Sequence, residues 1–533
     1  MIMKKQTNNI ILDKDDAHEM CIAQEIRNKH LIYTIKEWDA AYDPTSFTIY
    51  KNGVFIGGKE AGSLIREWIT EMAENIKIEY IDSKGKSYHK PYRLSPSKRS
   101  EIMEQIKTRT FISYVEFDTE CNRLNCKNGH VHIEGNGEVT FAEHYTFDQN
   151  PYKTFFQIPW DYDPSAECLK TDQALCDIFG FDRVPLIYEM LAYCCMPYIK
   201  YEKAFLLYGP PNSGKTTFIE GILMTLIGGP DERHWIDNAS QIELQALGER
   251  FGLGRLKDKR INYFDDLSNK SLREVAMKYF RILVTNRFLA GELKHVNGQA
   301  GWKNIIKLLF TCNILPELKK DPGEQFWRRW ILLHCYNEFK EKDKFTQEDE
   351  NDPNIFEKKF TLREEIAIDA EMSGLINKIL EGWKRLDARG GFPNEWDDTE
   401  KIKKLWMFDI NPVSEFVKEC CELKSSYEVD YGIFYKELNS YRMENGAKPI
   451  SKHMMTQKMS LLNIEGWNEN KKIDKKYHEN SSGRNYVGIR IKKTNLKTNN
   501  SSDNGESRSF DDFLINPAED IDDNVDFSDI KKD

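Results

Sequence analysis

Long apolar runs are missing from this sequence of 533 residues, and so is a leader-like start. No uncharged apolar stretch approaches the roughly 18 residues that a membrane-spanning helix needs, so we expect no integral membrane protein. The opening segment, MIMKKQTNN, has two lysines but no apolar run behind them, which does not match a signal peptide. We therefore expect a cytoplasmic protein that has no membrane partner.

The spacing typical of dithiol and zinc-ribbon sites is also absent, because none of the eleven cysteines forms a CxxC pair. One cluster leaves a zinc site open as an alternative, namely Cys121, Cys126, His130 and His132. Its spacing fits no common zinc module, and the two histidines alternate within the strand-like run HVHI. We therefore favour an ordinary strand at this position.

Positive charge is not in excess, since the formal net charge is −10. Residues 501–533 hold 11 acidic and 3 basic residues, a net of −8, which leaves −2 for the rest of the chain. Because the acidity is concentrated in one tail, the overall charge does not exclude a nucleic-acid partner.

Local patterns predict several individual elements. An Asn-Gly pair at 52–53 within FTIYKNGVFIGG predicts a β-hairpin. An amphipathic helix is predicted from Ser63, and a more apolar helix runs through Leu186–Met196 and ends at Pro197. A further helix should end at Gly390-Gly391.

A phosphate loop is the most specific motif. The strand-like run AFLLY leads directly into GPPNSGKT, a complete match to G-x4-G-K-[ST]. Its glycines let backbone N–H groups face phosphate oxygens, Lys215 adds positive charge, and the Thr216 hydroxyl is a ligand for Mg²⁺. The following helix should end at Gly228-Gly229-Pro230. We therefore predict ATP and Mg²⁺ as cofactors, with the ATP-binding residues Gly209, Pro210, Pro211, Asn212, Ser213, Gly214, Lys215, Thr216 and Thr217.

Two further apolar runs end in polar side chains. INYF is followed by Asp265 and Asp266, and IIKLLFTC is followed by Asn313. Beside a phosphate loop, Asp265 is predicted to hold Mg²⁺ together with Thr216, and Asp266 to orient or deprotonate the attacking water. Asn313 is predicted to hold that water or to contact the γ-phosphate. The alternatives are a solvated strand end for the aspartates and a turn residue for Asn313.

The run FWRRW contains two adjacent arginines, Arg328 and Arg329. Neighbouring residues of a regular element point in different directions, so one arginine can pack locally while the other reaches a phosphate on another subunit. This arrangement is an arginine finger, and it requires an oligomer. The alternative is a structural arginine pair.

The order of these motifs, with the segment GELKHVNGQAGWKNIIKLLFTCN between them, resembles the superfamily 3 helicases. Those proteins are hexameric ring ATPases of the AAA+ class from viruses, phages and plasmids. The resemblance implies that Lys294 and His295 lie on a central-channel hairpin and bind the sugar-phosphate backbone of single-stranded DNA. Six such hairpins would then move in sequence during ATP hydrolysis. The alternative is an exposed loop with a solvated lysine.

The flanking segments resemble more closely the primase-helicases of poxviruses, satellite phages and mobile plasmids. The similar stretches are Asn125–Gly129, Glu371–Asn377 and Gly382-Trp383, and the resemblance covers about residues 115–490. Too few residues precede the motor for a complete primase domain, so we expect any primase to be a separate chain.

We therefore predict an α/β fold class with an AAA+ P-loop motor domain, an N-terminal α/β region, helical segments and a C-terminal winged-helix domain. In the last of these, Ser451 is a candidate N-cap for a helix to Leu462, and residues 471–493 hold eight basic residues against two acids. The predicted segments are 1–112, an N-terminal region of unknown role; 113–200, a pre-motor and oligomerisation region; 201–340, the motor; 341–405, a linker and helical segment; 406–493, the winged-helix domain; and 494–533, a disordered acidic tail.

These features predict an ATP-dependent replicative DNA helicase of a virus, phage or plasmid, located in the host cytoplasm if viral. The expected partners are single- and double-stranded DNA, further copies in a homo-hexamer, and a separate primase or other replication proteins. Two alternatives stay open. One is an AAA+ regulator or loader that hydrolyses ATP without processive unwinding, and the other is a small-molecule kinase.

Overall fold

The computed structural model describes residues 4–6, 9–14, 16, 18–36, 46–120, 122–144, 152–249, 252–268, 270–285, 287–292, 299–318, 321–347, 349–411, 413–444, 449–460, 474–477 and 484–492. The chain divides into two compact units, Met1–Pro412 and Val413–Asp533. Both units contain helices and sheets, so the fold class is mixed α/β, as predicted. No helix in the described ranges is long and apolar enough to cross a membrane.

The described residues of the N-terminal region form two four-stranded sheets and three helices. The strand orders are β1-β2-β6-β7 and β5-β4-β3-β8. The elements are β1 (Lys4–Gln6), β2 (Asn9–Asp13), α1 (His18–Lys29), β3 (Ile32–Ile35), β4 (Phe47–Lys51), β5 (Val54–Gly57), α2 (Gly58–Glu74), β6 (Ile76–Ile81), β7 (Ser87–Pro91), α3 (Pro96–Thr108) and β8 (Phe111–Ile112).

Local chemistry accounts for two of these elements. The β4–β5 hairpin is confirmed, and Asn52 (φ 50°) and Gly53 (φ 85°) adopt the left-handed conformations that its tight turn requires. The amphipathic helix predicted from Ser63 is confirmed as part of α2, which buries Ile65 and Ile69 on one face.

A three-stranded antiparallel sheet and two helices follow. They are β9 (Arg123–Cys126), β10 (Gly129–Ile133), β11 (Val139–Glu143), α4 (Leu169–Phe179) and α5 (Val184–Cys195). Almost every residue of α5 is buried, which fits its apolar sequence, and the predicted helix over Leu186–Met196 is thereby confirmed. Helix α5 packs beside the long helix that comes after the central sheet.

The central sheet has five parallel strands in the order β13-β14-β17-β12-β18. Strands β12 and β17 are buried along their whole length and, apart from Lys307 and Thr311, are apolar, as expected when both faces of a parallel sheet are covered. The elements are β12 (Ala204–Tyr208), a π-helical segment (Thr217–Met224), α6 (Thr225–Gly228), α7 (Trp235–Asn238), β13 (Ala239–Ser240), β14 (Ile261–Phe264), α8 (Glu274–Thr285), β15 (Phe288–Glu292), β16 (Gln299–Lys303), β17 (Lys307–Cys312), α9 (Glu324–Trp327) and β18 (Trp330–His334).

Glycines end two of the helices where the sequence predicts. Helix α6 stops at Gly228, and Gly229 (φ 82°) donates its N–H to the Thr225 carbonyl at 2.9 Å. After the central sheet come β19 (Glu338–Lys340), β20 (Ile355–Glu357), α10 (Leu362–Ile366), α11 (Asp369–Arg389) and α12 (Thr399–Ile410). Gly390 closes α11 in the left-handed conformation typical of a helix end. The predicted domain limit between residues 405 and 406 falls inside α12.

The second unit contains α13 (Ser414–Cys420), β21 (Cys421–Asp430), α14 (Tyr431–Glu444), α15 (Lys452–Ser460), β22 (Asp474–Tyr477) and β23 (Arg484–Ile491). Its three strands are antiparallel in the order β21-β23-β22. The hydroxyl of Ser451 accepts the N–H of Met454 at 3.1 Å, which confirms the predicted N-cap of α15. Leu462, the predicted end of that helix, lies outside the described residues.

Candidate active site

A cavity of about 680 Å³ opens at the carboxyl ends of β12, β14 and β17. This edge is where open parallel sheets bind their ligands. Most of the predicted site residues meet there: Pro211, Asn212, Ser213, Gly214, Lys215, Thr216, Thr217, Asp265, Asp266 and Asn313 all line the cavity. Gly209 and Pro210 form the start of the same loop, directly after β12.

Two glycines of the phosphate loop occupy positions that admit no side chain. Gly209 has φ 145°, and a Cβ atom there would lie 2.1 Å from the carbonyl oxygen of Cys335. Gly214 has φ 82°, and its Cβ would lie 2.7 Å from Cγ1 of Ile178. Both the backbone conformation and the close packing therefore require glycine.

Lys215 is buried behind the loop. Its Nζ donates to the carbonyl oxygens of Gly209 (2.9 Å) and Pro210 (2.8 Å), to Oγ of Ser213 (3.2 Å) and to Oδ1 of Asn313 (3.2 Å). Burial lowers the pKa of this amine, and nearby negative groups partly offset the effect. Because these partners are neutral oxygens, the lysine charge is available to an anion in the cavity.

A hydroxyl and a carboxylate meet beside the loop. Oγ1 of Thr216 donates to Oδ2 of Asp265 at 2.8 Å, and the Thr311 hydroxyl donates to Oδ1 of the same carboxylate. The N–H of Asp266 donates to Oγ1 of Thr311 at 2.8 Å. Oxygen donors of this kind are the ligands that Mg²⁺ prefers, so Thr216 and Asp265 fit the predicted metal.

Asp266 and Asn313 face each other at the ends of neighbouring strands. Nδ2 of Asn313 lies 3.4 Å from Oδ1 of Asp266, while its Oδ1 accepts from Lys215. Asp266 has φ 59°, a left-handed conformation that turns the chain away from β14 immediately after Asp265. The structure thus brings the predicted water-orienting carboxylate, the amide and the lysine together in one row.

Another wall of the cavity adjoins the phosphate loop and comes from segments that the sequence did not connect with the site. Helix α4 contributes Leu169, Ala174 and Ile178, and the stretch after the central sheet contributes Phe339 and Leu362. Leu169 is 66% exposed, which is unusual for a leucine and places an apolar surface at the rim. The charged residues of this wall are Lys170, Asp177, Glu357, Lys358, Lys359 and Glu365. Part of the segment predicted as a linker therefore lines the cavity.

The two arginines have different environments. The Arg329 side chain is 5% exposed and bonds Oγ1 of Thr285 through Nε (3.0 Å) and Nη2 (2.9 Å). The Arg328 side chain is 46% exposed, and its nearest described carboxylate is Glu202 at 3.8 Å. Both precede β18 at the amino end of the sheet, a strand length of about 15 Å from the phosphate loop. Neither is therefore close to the cavity of its own chain.

Lys294 and His295 lie outside the described residues. The strands on either side of them are described: β15 and β16 pair antiparallel from Phe288↔Lys303 to Glu292↔Gln299. The base of this hairpin is anchored, because Trp302 is buried and Asn304 donates to the Leu283 carbonyl at 2.6 Å. Strand β17 follows directly and carries Asn313 at its far end.

The histidines of the alternative zinc cluster lie on β10. His130 is buried, and burial lowers its pKa to about 3. His132 bonds Glu134 at 2.8 Å, and Cys126 lies buried on the neighbouring β9. Cys121 is outside the described residues, among which no group of three or more His, Cys, Asp or Glu side chains is arranged to hold a metal.

Two family models match separate parts of the chain, each covering less than half of it. The first, "D5 N terminal like", matches residues 28–180, and the second, a family of unknown function (DUF5906), matches residues 207–329. The second match spans the phosphate loop, the aspartate pair, Asn313 and Arg329. No curated protein matches the sequence significantly.

Two solved structures with similarity to the chain are both of the NrS-1 C-terminal region. An apo structure of that region is 11% identical, with a TM-score of 0.38 over 89% of this chain and 100% of that chain. An A-form apo structure is 13% identical, with a TM-score of 0.36 over 68% of each chain. Similarity of this size does not bear on the function of the site.

Proposed function

We propose that this protein is an ATP-dependent DNA helicase that acts in the replication of a virus, phage or plasmid. The observation that carries the proposal is the single cavity in which Lys215, Thr216, Asp265, Asp266 and Asn313 converge at the carboxyl edge of a parallel sheet. The "D5 N terminal like" match supports a replication role, and the motif order supports superfamily 3 of the AAA+ class.

The aligned side chains of Lys215, Asn313 and Asp266 support ATP hydrolysis. The loop N–H groups and Lys215 bind the β- and γ-phosphates, and Thr216 and Asp265 would hold a Mg²⁺ ion, which would supply neutralisation of phosphate charge. Asp266 accepts the proton of the attacking water, and Asn313 keeps that water beside Asp266 through its amide. The Asn313–Lys215 hydrogen bond links the water position to the lysine that contacts the γ-phosphate.

The nucleoside is placed beside the phosphate loop. The side chains of Leu169, Ile178 and Phe339 are apolar, whereas the adjoining phosphate loop is polar, so a base and a triphosphate have separate places. Lys170 and Glu365 form an ion pair at 3.3 Å that joins α4 to α10 within this wall. Binding of the nucleoside therefore couples the segment after the central sheet to the phosphate loop.

A ring of subunits completes the site. Arg328 is exposed and lies at the end of β18 opposite the chain's own cavity, so a phosphate that it contacts belongs to a neighbouring subunit. Arg329, held in its own subunit by Thr285, supports the backbone of that position. We therefore assign Arg328 as the arginine finger of a homo-hexamer.

The β15–β16 hairpin is the proposed moving part. Its tip, with Lys294 and His295, would bind the backbone of one DNA strand in the channel, without base preference. Strand β17 joins the hairpin base to Asn313, so a change at the γ-phosphate reaches the hairpin through six strand residues. In the second unit, α14, α15 and the β21-β23-β22 sheet support a winged helix for duplex DNA.

A mixing experiment tests this function. Lys215→Ala subunits and Arg328→Ala subunits are each expected to be inactive alone, because one cannot bind phosphate and the other supplies no finger. Mixed rings place a normal cavity against a normal Arg328, and we expect partial return of DNA-stimulated ATP hydrolysis. Intact mixed rings without any return would argue against a shared site, and a monomer with ATP analogue bound would instead support a small-molecule kinase.

A further inference from the structure

The β6–β7 hairpin of the N-terminal region is a basic and aromatic surface remote in sequence from the nucleotide cavity. Residues 76–93 carry five basic residues against two acids, a net charge of +3 in a chain whose net charge is −10. The basic residues are Lys77, Lys84, Lys86, Lys90 and Arg93. The role of this part of the chain is not accounted for by ATP hydrolysis.

The hairpin protrudes from its sheet. Every residue from Ile81 to Pro91 is exposed, and β7 is the outermost strand in the order β1-β2-β6-β7. Among the described residues, no carboxylate forms an ion pair with Lys84, Lys86 or Lys90. Their charges are therefore not neutralised within the described protein.

The turn holds these lysines in a defined arrangement. The Asp82 carboxylate accepts the N–H of Lys84 at 2.8 Å and of Lys86 at 2.9 Å, and Gly85 (φ 78°) completes the turn. The acid is thus engaged with the turn backbone, and the lysine side chains extend from a fixed frame. Tyr88 and Lys90 lie two residues apart on β7, so they share one face of that strand, and Lys86 immediately precedes the strand.

An aromatic pair lies between the lysines. The rings of Tyr80 and Tyr88 are stacked with centroids 5.5 Å apart and an interplanar angle of 18°. Nζ of Lys90 lies 5.1 Å from the Tyr80 centroid and 5.5 Å from the Tyr88 centroid. Tyr80 packs against the N-terminal core, whereas Tyr88 is 42% exposed and has ring surface open to solvent.

We propose that the β6–β7 hairpin binds single-stranded nucleic acid, with Lys84, Lys86 and Lys90 on the phosphates and Tyr88 stacked on a base. Lysines that follow a strand edge, with an aromatic ring between them, are the combination by which proteins bind single strands without sequence preference. Lysines also protect edge strands against pairing with other chains, but that role does not require an exposed, pre-stacked tyrosine.

Binding of a labelled 20-nucleotide oligothymidine to the full-length chain, measured without ATP, tests the proposal. The variants are made in a Lys294→Ala background to reduce binding at the predicted channel. Substitution of Lys84, Lys86 and Lys90 by alanine is expected to weaken binding at least tenfold. It should also lower the slope of log affinity against log salt by about 2, since three phosphate contacts at about 0.7 each are lost.

The matched control replaces three other exposed lysines of the same region, Lys14, Lys51 and Lys59, and makes the same change in net charge. We expect this control to bind within twofold of its parent. Tyr88→Ala should weaken binding about tenfold without changing the salt slope, and Tyr88→Phe should bind normally, because stacking needs the ring and not the hydroxyl.

Equal affinity of the two triple-lysine variants for the oligothymidine would overturn the proposal. Aggregation of the hairpin variant, with unchanged affinity of its soluble fraction, would also overturn it, because the lysines would then only protect the edge strand against pairing. Tighter binding of duplex than of single strands, with no effect of Tyr88→Ala, would overturn the single-strand assignment. Basal ATP hydrolysis of the hairpin variant should equal that of its parent. Failure of the binding prediction therefore leaves the proposed helicase function untouched. Failure of the helicase tests likewise leaves the binding prediction for the hairpin untouched.

Discussion

Arginines 328 and 329 are adjacent, yet their replacement by alanine should have opposite consequences. Arg329→Ala removes a guanidinium that is 5% exposed and bonds the Thr285 hydroxyl and the carbonyl and side-chain oxygens of Gln325. The half-buried Thr285 and the exposed Gln325 then lose a charged hydrogen-bond donor, and the buried site of the guanidinium is left unfilled, at a cost of about 3 kcal/mol. Arg328→Ala removes a half-exposed side chain whose nearest carboxylate, Glu202, is 3.8 Å away, so the cost is about 0.5 kcal/mol or less.

These energies convert into different melting temperatures. A unit the size of Met1–Pro412 has an unfolding entropy of about 0.9 kcal/mol/K, so 3 kcal/mol lowers Tm by about 3 °C. Arg329→Ala should show this fall in a thermal melt, with a moderate loss of activity. Arg328→Ala should melt as the parent does and lose about 1000-fold in DNA-stimulated ATP turnover, the effect of a missing arginine finger.

Arg328→Lys separates charge from geometry at the same position. A lysine keeps the positive charge but lacks the planar fork, so we expect most of the activity to be lost with Tm unchanged. Full turnover in Arg328→Ala would contradict its assignment as the finger, and so would an Arg329→Ala protein that melts normally and is inactive. Ring formation by each variant, measured by mass photometry with an ATP analogue, ensures that rates of equal assemblies are compared.

Three further predictions concern the cavity. Gly214→Ala should weaken nucleotide binding at least tenfold in a titration, because the backbone there has φ 82° and the new Cβ would lie 2.7 Å from an α4 side chain. The control Gly221→Ala, whose Cβ would lie 3.7 Å from its nearest neighbour, should bind nucleotide normally. Asp265→Asn should raise the Mg²⁺ concentration for half-maximal hydrolysis at least tenfold, and an unchanged requirement would remove Asp265 from the metal site. Phe339→Ala should raise KM for ATP several-fold with a smaller change in kcat, unlike Phe181→Ala at an exposed position outside the cavity.

Features coded by neighbouring residues are the ones that the sequence predicts well. The hairpin at Asn52-Gly53, the helix end at Gly390 and the cap at Ser451 each depend on one turn or one hydrogen bond within a few residues. The phosphate loop belongs to the same class, since its spacing alone defines the path of the backbone. The positions of Asp265 and Asn313 can be predicted with one further assumption, that their strands are parallel neighbours, because parallel strands bring both residues to the same edge of the sheet.

The rest depends on contacts between distant segments. The apolar wall joins Ile178, Phe339 and Leu362 from three separate elements, and no periodicity in the sequence relates them. The distinction between the two arginines likewise depends on Thr285, which is 44 residues from Arg329 in the sequence. Its hydroxyl accepts a hydrogen bond from Arg329, which is the buried arginine of the pair. Such information exists only after the sheet and its covering helices have packed together.

The most direct test of the central claim is strand displacement on a forked DNA, with tails of each polarity. We compare the wild-type protein, Lys294→Ala and Lys215→Ala, and measure ATP hydrolysis in the same reactions. We predict that the wild-type protein unwinds, that Lys294→Ala hydrolyses ATP within a few-fold of wild type but does not unwind, and that Lys215→Ala does neither. Normal unwinding by Lys294→Ala would contradict translocation by the hairpin, and hydrolysis without unwinding by the wild type on both tails would indicate a regulator or loader instead.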